Sequence, residues 1–221
     1  MPTSRRNSKH TPSRKRQGTE QRLIAAVGAV LEASGVKGIG VNRIAAEAGV
    51  DKALIYRYFG GLTGLLTAYG ETAAFWPDLD ELLGPSKGDL HTLGNGKLAA
   101  RILSNYAEAL RRRPVTRALL AWECVERTPL TAALEAVRER RSDELFAALE
   151  TIGIPLAPHL KTAAVLFSAA LQYLVIRADS LEIYGGLDIG DDAGWKAIKT
   201  HIECIFETML STKSPAPDNP L

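Results

Sequence analysis

VNRIAAEAGVDKALIYRYF, residues 41–59, reads as two short helices joined by a turn that few residues could make. Val41, Ile44, Ala45 and Ala48 recur at i, i+3, i+4 and i+7, an apolar stripe along a helix that Gly49 ends. Val50 follows as an apolar staple and Asp51 offers a carboxylate to the first free amides of the next helix, which Ile55 and Phe59 give an inward face. That second helix is barely two turns long, and a helix so short draws its stability from packing rather than propensity.

Its outer face therefore carries the information. Lys52, Ala53, Tyr56 and Arg57 share it, with Leu54 and Tyr58 at the flanks. Cations, a small residue and a phenol on a thin helix suit a DNA major groove, where phosphates attract the charges and base edges meet the rest. The pattern is that of a helix-turn-helix.

Over roughly Glu20 to Leu66, and most clearly in IAAEAGVDKALIYRYFGGLTGLL, the sequence resembles the DNA-binding signature of TetR-type (tetracycline-repressor-like) regulators. Ile44-Ala45, Ala48-Gly49-Val50, Tyr56 and Phe59 stand at the family's spacings. Two positions depart from it. The Thr that usually caps the first helix of the pair and touches a phosphate is here Gly40, and the Lys that opens the following helix is Leu62, with Thr63 after it. The amides of Gly60 and Gly61 could face a phosphate in place of that Lys.

Charge is divided in the same sense. Net charge is only +2 over 221 residues, but residues 1–60 hold 11 Lys and Arg against 4 Asp and Glu, while the remainder holds 16 against 21. A basic front and an acidic back suit a protein whose front alone meets a polyanion. Residues 1–18 are polar and basic, a composition expected to form a disordered arm. Arg14, Lys15 and Arg16 are its best-placed cations for phosphates or a minor groove. Base contacts are expected from Lys52, Ala53, Tyr56 and Asn42, and phosphate contacts from Arg57, Tyr58 and the arm.

Apart from one loop, the rest of the chain has helical periodicity. Thr19 is expected to cap a first helix, Glu20 to Ala33, and a fourth helix should run from Gly61 to about Trp76, where Pro77 breaks it and a hinge could lie. A glycine-rich loop, 84–96, contains His91 and has no period. Helices then follow from Lys97, from Pro114 and from Pro129, in which Arg138, Arg140 and Arg141 read as a solvated face and Arg111 to Arg113 as cations at a helix C-terminus. Pro158 to about Tyr184 reads as the most buried helix. Asp191 or Asp192 caps a last one, with Trp195, Ile198, Ile202, Ile205, Phe206 and Met209 on one stripe.

The expected fold is all-α, a three-helix head at 19–66 and a larger helical body at 67–212, followed by a disordered tail at 213–221. The resemblance implies that the last two long helices pair with a second copy in a four-helix interface. It also implies a palindromic DNA operator, a repressor's role and a small-molecule effector between the middle helices. Polar residues on otherwise apolar helix faces are the candidates for that site: Tyr106, Trp122, Glu123, Ser168, Gln172 and Tyr173. For each, the first reading is a satisfied core or interface residue, and a ligand contact is the second. A regulator without an effector, and an enzyme on a helical scaffold, are the rival readings.

No catalytic motif, glycine-rich phosphate loop or metal-ligand spacing is present, so neither enzyme activity nor a cofactor is expected. Cys124 and Cys204 have no spacing partner, which makes a reducing cytoplasm the simplest setting. The N-terminus lacks the apolar core of a secretory signal. The longest apolar run, Ala163 to Ile176, is too short to cross a bilayer, so no membrane partner is expected.

Overall fold

The computed structural model describes residues 14–85, 90, 92–154 and 158–211. Expectations for residues 1–13, His91 and the tail 213–221 lie outside them. The helices are α1 (Arg14–Ser34), α2 (Val41–Glu47), α3 (Ala53–Phe59), α4 (Leu62–Gly70), α5 (Leu79–Leu83), α6 (Gly94–Arg111), α7 (Pro114–Glu123), α8 (Pro129–Thr151), α9 (Pro158–Arg177) and α10 (Asp192–Ser211). A two-stranded hairpin, β1 (Ile183–Tyr184) and β2 (Leu187–Asp188), interrupts the helices before α10. The chain divides into two compact units between Tyr69 and Gly70, a head and a body.

The head is built around a few apolar side chains. Leu23, Val27, Val30 and Leu31 of α1, Ile44 and Ala45 of α2, Ile55 of α3, and Leu65, Leu66 and Tyr69 of α4 are all buried. Burial pushes the Tyr69 phenol up to about 12, with the charge of Glu32 adding to the effect. The packing is close enough to require small residues. A Cβ on Gly28 would lie 3.3 Å from the Tyr69 ring, and one on Gly64 only 1.9 Å from the carbonyl oxygen of Phe59.

Helix α1 begins earlier than the sequence reading has it. Arg14, Lys15 and Arg16 are helical, not part of a disordered arm, and Thr19 sits inside the helix with its hydroxyl donating to the Lys15 carbonyl. Arg16 and Glu20, one turn apart and 2.7 Å from each other, support this extra turn. Helix α4, in contrast, stops at Gly70 rather than running to Trp76. Gly70 packs against Leu134 and Val137 of α8, and the chain turns so that the amides of Phe75 and Trp76 both reach the Thr72 carbonyl. Both aromatic side chains are thereby buried, and Asp78 caps the short α5 by accepting from the Glu81 amide at 2.8 Å.

In the body the arginine clusters do more than face water. Arg113 donates to Glu81 at 2.5 Å and to the Ala73 carbonyl at 2.7 Å, and Arg112 reaches Glu81 at 3.0 Å. Burial alone would raise the Glu81 carboxyl, but hydrogen bonds from Arg113 and Arg112 overcome it and hold it below the ordinary carboxylate range. Arg140 and Arg141 grip Glu71. Arg138, read from sequence as solvated, is only 13% exposed and meets both carboxylate oxygens of Glu123 at 2.7 and 2.6 Å. Its guanidinium also lies 5.6 Å from the centre of the Trp76 ring.

The last third differs most from expectation. Helix α9 ends at Arg177, because Leu181 and Glu182 lead into a turn whose centre, Gly185-Gly186, has φ of 56° and 86°, the two positive values a tight hairpin needs. Nor is α9 the most buried helix. It packs on α6 and α7 and buries Leu160, Ala163, Leu171 and Val175, while Val165, Leu166 and Tyr173 stay 51%, 65% and 48% exposed. Among the described residues it is the one helix long and apolar enough, by length and composition, to cross a membrane. On α10 the stripe Trp195, Ile198, Ile202 and Phe206 is buried, but Ile205 is exposed. Asp191 is the residue that caps α10, accepting from the Gly194 amide at 2.8 Å.

Two stability measurements follow. Gly64→Ala should cost about 1–3 kcal/mol in urea unfolding, since the new methyl cannot coexist with the Phe59 carbonyl without moving α4. Glu123→Gln should cost on the order of 3 kcal/mol by stranding the Arg138 charge, and adding Arg138→Met should recover most of it.

Candidate nucleic-acid interface and ligand cavity

The turn between α2 and α3 closes on backbone hydrogen bonds. The Val50 amide donates to the Ala45 carbonyl at 3.0 Å and the Gly49 amide to the Ala46 carbonyl at 3.1 Å, with Gly49 at φ 63° in the left-handed region. This pair of bonds satisfies two carbonyls at the end of α2 and reverses the chain within two residues. Asp51 then caps α3 through its side chain, accepting from the Ala53 amide at 2.7 Å, while its carbonyl accepts from Leu54 at 3.0 Å. At the other end Gly60, at φ 72°, donates to the Tyr56 carbonyl at 2.9 Å. The Gly60 amide is thus committed inside the helix end and is not the phosphate donor the sequence reading allowed.

Held at both ends and by buried Ile55, α3 turns a polar face outward. Lys52, Ala53, Tyr56 and Arg57 are all exposed, Tyr56 by 58%, and Asn42 is exposed near the start of α2. Tyr58 is half-buried, its ring flanked by two guanidinium groups, Arg16 at 5.0 Å and Arg57 at 5.4 Å from the centroid. This ties the first turn of α1 to the end of α3 and places Arg14, Lys15 and Arg16, all exposed, on an ordered helix. At the opening of α2, Gly40 is extended and has no side-chain hydrogen bond to offer, as its sequence implies.

The body holds a cavity of about 550 Å³ among α6, α8, α9 and α10. Three of the six candidate ligand residues, Tyr106, Ser168 and Gln172, line it. The Tyr106 hydroxyl and Gln172 Oε1 are 3.0 Å apart, and burial pushes the phenol's pKa up against a smaller opposing pull from Arg138. The other three do not line it. Glu123 is engaged with Arg138, Trp122 belongs to α7 away from the lining, and Tyr173 packs edge-on against Tyr184 of the hairpin at 5.5 Å. Sequence reading missed Arg138, Ser142 and Trp76, which do line the cavity. An Arg among the apolar positions of α8 was the available signal, but its Glu123 partner is fifteen residues away. Among the described residues no group of three or more His, Cys, Asp or Glu is placed to hold a metal ion.

Residues 23–69 match the family model described as bacterial regulatory proteins of the tetR family. No curated protein matches the chain. Among solved structures, a transcriptional regulator from Rhodococcus sp. Rha1 is similar at 21% identity and a TM-score of 0.51, covering 90% of this chain and 99% of that one. A TetR-family regulator from Streptomyces coelicolor A3 is 17% identical with the same coverage and TM-score. HlyIIR, a hemolysin II transcriptional regulator, is 14% identical, again covering 90% and 99% at a TM-score of 0.51. Residues 23–69 thus carry the DNA-binding region described for the tetR family, within an all-helical fold similar along most of its length to those of these regulators.

Proposed function

We propose that this DNA-binding regulator acts as a ligand-responsive repressor that occupies a palindromic operator as a homodimer. The observation that carries the reading is the outward face of α3, where Lys52, Ala53, Tyr56 and Arg57 are free of the core on a helix fixed at both ends. Base contacts fall to Lys52, Ala53, Tyr56 and Asn42. Phosphate contacts fall to Arg57, Tyr58, Arg14, Lys15 and Arg16. Positive charge on the head supports the assignment, since each phosphate neutralised releases counterions.

The second copy is supported by α9. Val165, Leu166 and Tyr173 present apolar surface to water, an arrangement that a symmetric partner helix would relieve, and a two-fold dimer matches a two-fold operator. The effector is supported by the cavity, large enough for a small molecule and lined mostly by apolar side chains. Control would act by linkage: a ligand that favours a conformation with poor DNA affinity lowers that affinity by the same factor by which DNA lowers its own. The short stretch after α4 is a suitable relay in the body, because Arg141 both lines the cavity and donates to the Glu71 carbonyl at 3.0 Å. The setting is cytoplasmic, where DNA and a reducing milieu coincide.

Tyr56→Ala should weaken operator binding by about 1–3 kcal/mol in a fluorescence titration against a selected operator, with little change in fold. Unchanged affinity would remove Tyr56 from the interface. Leu166→Glu should shift the protein to monomer in analytical ultracentrifugation and reduce operator binding with it. A dimer undisturbed by that charge would place the contact between copies elsewhere.

A further inference from the structure

The cavity's chemistry narrows what can occupy it. This inference rests on the reading that the body receives an effector there. Its walls are largely hydrocarbon, with Leu98, Ile102, Leu145, Leu149 and Phe206 among them. Its polar groups have mostly spent their protons. Ser168 Oγ donates to the Val165 carbonyl at 2.8 Å and Ser142 Oγ to the Arg138 carbonyl at 3.1 Å, so both hydroxyls offer lone pairs to a guest. The Tyr106 hydroxyl donates to Gln172 Oε1 at 3.0 Å, which leaves the Gln172 amide N–H groups as donors and the Tyr106 oxygen as an acceptor for a guest.

The arginines of the lining are paired before any guest arrives. Arg138 is the cation beside Trp76 and the Tyr106 hydroxyl's end of the cavity, and both of its terminal nitrogens are taken by Glu123 at 2.7 and 2.6 Å. Arg141 is held by Glu144 and Glu71, and Lys161 lies over the Phe146 ring at 4.5 Å on an exposed stem. Glu139 and Asp143 add two negative charges to the same lining. A carboxylate that left the exposed Lys161 behind and entered the cavity would lose its water and meet only arginines already paired with glutamates that repel it.

We infer that the cavity selects a neutral amphipathic molecule, an apolar body of small-molecule size bearing a hydroxyl or phenol, and discriminates against the carboxylate of the same shape. The hydroxyl proton goes to a serine or tyrosine lone pair, and its oxygen accepts from the Gln172 amide. The cost of leaving that amide unpaired makes a purely hydrocarbon guest weaker too.

The test is isothermal titration of the full-length protein at neutral pH with three probes of one skeleton: 4-hexylphenol, 4-hexylbenzoate and hexylbenzene. At that pH the phenol is neutral and the benzoate ionised. The phenol should bind roughly tenfold or more tighter than the benzoate, with hexylbenzene between them or equal to the benzoate. Glu123→Gln bares the Arg138 charge and should swing the preference toward the benzoate. Glu123→Gln combined with Arg138→Gln removes both charges and should return it to the phenol, which keeps the argument open to refutation if the single variant does not fold. Benzoate binding as tightly as the phenol to the unaltered protein, or a preference the folded single variant leaves unmoved, overturns the neutral-ligand assignment and leaves the cavity as a binding site. Failure of both the phenol and hexylbenzene to bind overturns the effector reading itself, and the assignment with it.

Discussion

A helix of seven residues does not persist in water, and the head of this protein is arranged to keep one. Helix α3 has too few internal hydrogen bonds to offset the entropy of ordering it. It is secured by two backbone devices and two side chains: the paired bonds at Gly49, the Gly60 reversal, the Asp51 carboxylate, and Ile55 buried completely. Ile55 is buried along with apolar side chains of α1, α2 and α4 in the same head. Because all the stabilisation lies on one face and at the two ends, the other face is left for a ligand as large as a duplex.

The body solves a different problem. Between α4 and α5 the chain runs through residues 71–78 without regular structure, and its carbonyls need donors. Thr116, fully buried, donates to the Phe75 carbonyl at 2.6 Å, Arg113 to Ala73 and Arg141 to Glu71. The junction between α6 and α7, helix α7 and helix α8 thus each supply a side-chain donor to carbonyls of the same irregular segment. The arginine-rich ends of those helices look like ordinary solubilising charge in one dimension, and their use appears only when the segment is folded against them.

This explains what could be read from the sequence and what could not. The α2–α3 turn and the outward residues of α3 were legible because every determinant is local: a glycine that tolerates φ > 0, a capping aspartate two residues on, and apolar residues at helical spacing. The start of α1 was misjudged because charged residues look disordered, although Arg16 and Glu20 are one turn apart. The hairpin at Ile183–Asp188 carried a readable Gly-Gly signal between apolar residues, overlooked beside the helical periodicity around it. The cavity was half legible. Tyr106, Ser168 and Gln172 stand out as polar positions on apolar helices, whereas Glu123 and Arg138 find each other only through tertiary packing. The exposure of α9 was invisible for a related reason: an apolar helix does not say which molecule will cover it.

The paired charges of Glu123 and Arg138 also set how the two halves of the molecule answer to ionic strength. Association with DNA displaces condensed cations and falls steeply as electrolyte is added. The neutral guest proposed for the cavity would displace none, so its hold would be nearly indifferent to the same addition. Under that proposal, added salt loosens the hold on DNA and leaves the hold on the guest in place, giving a way to populate a liganded, DNA-free form without changing the concentration of either partner.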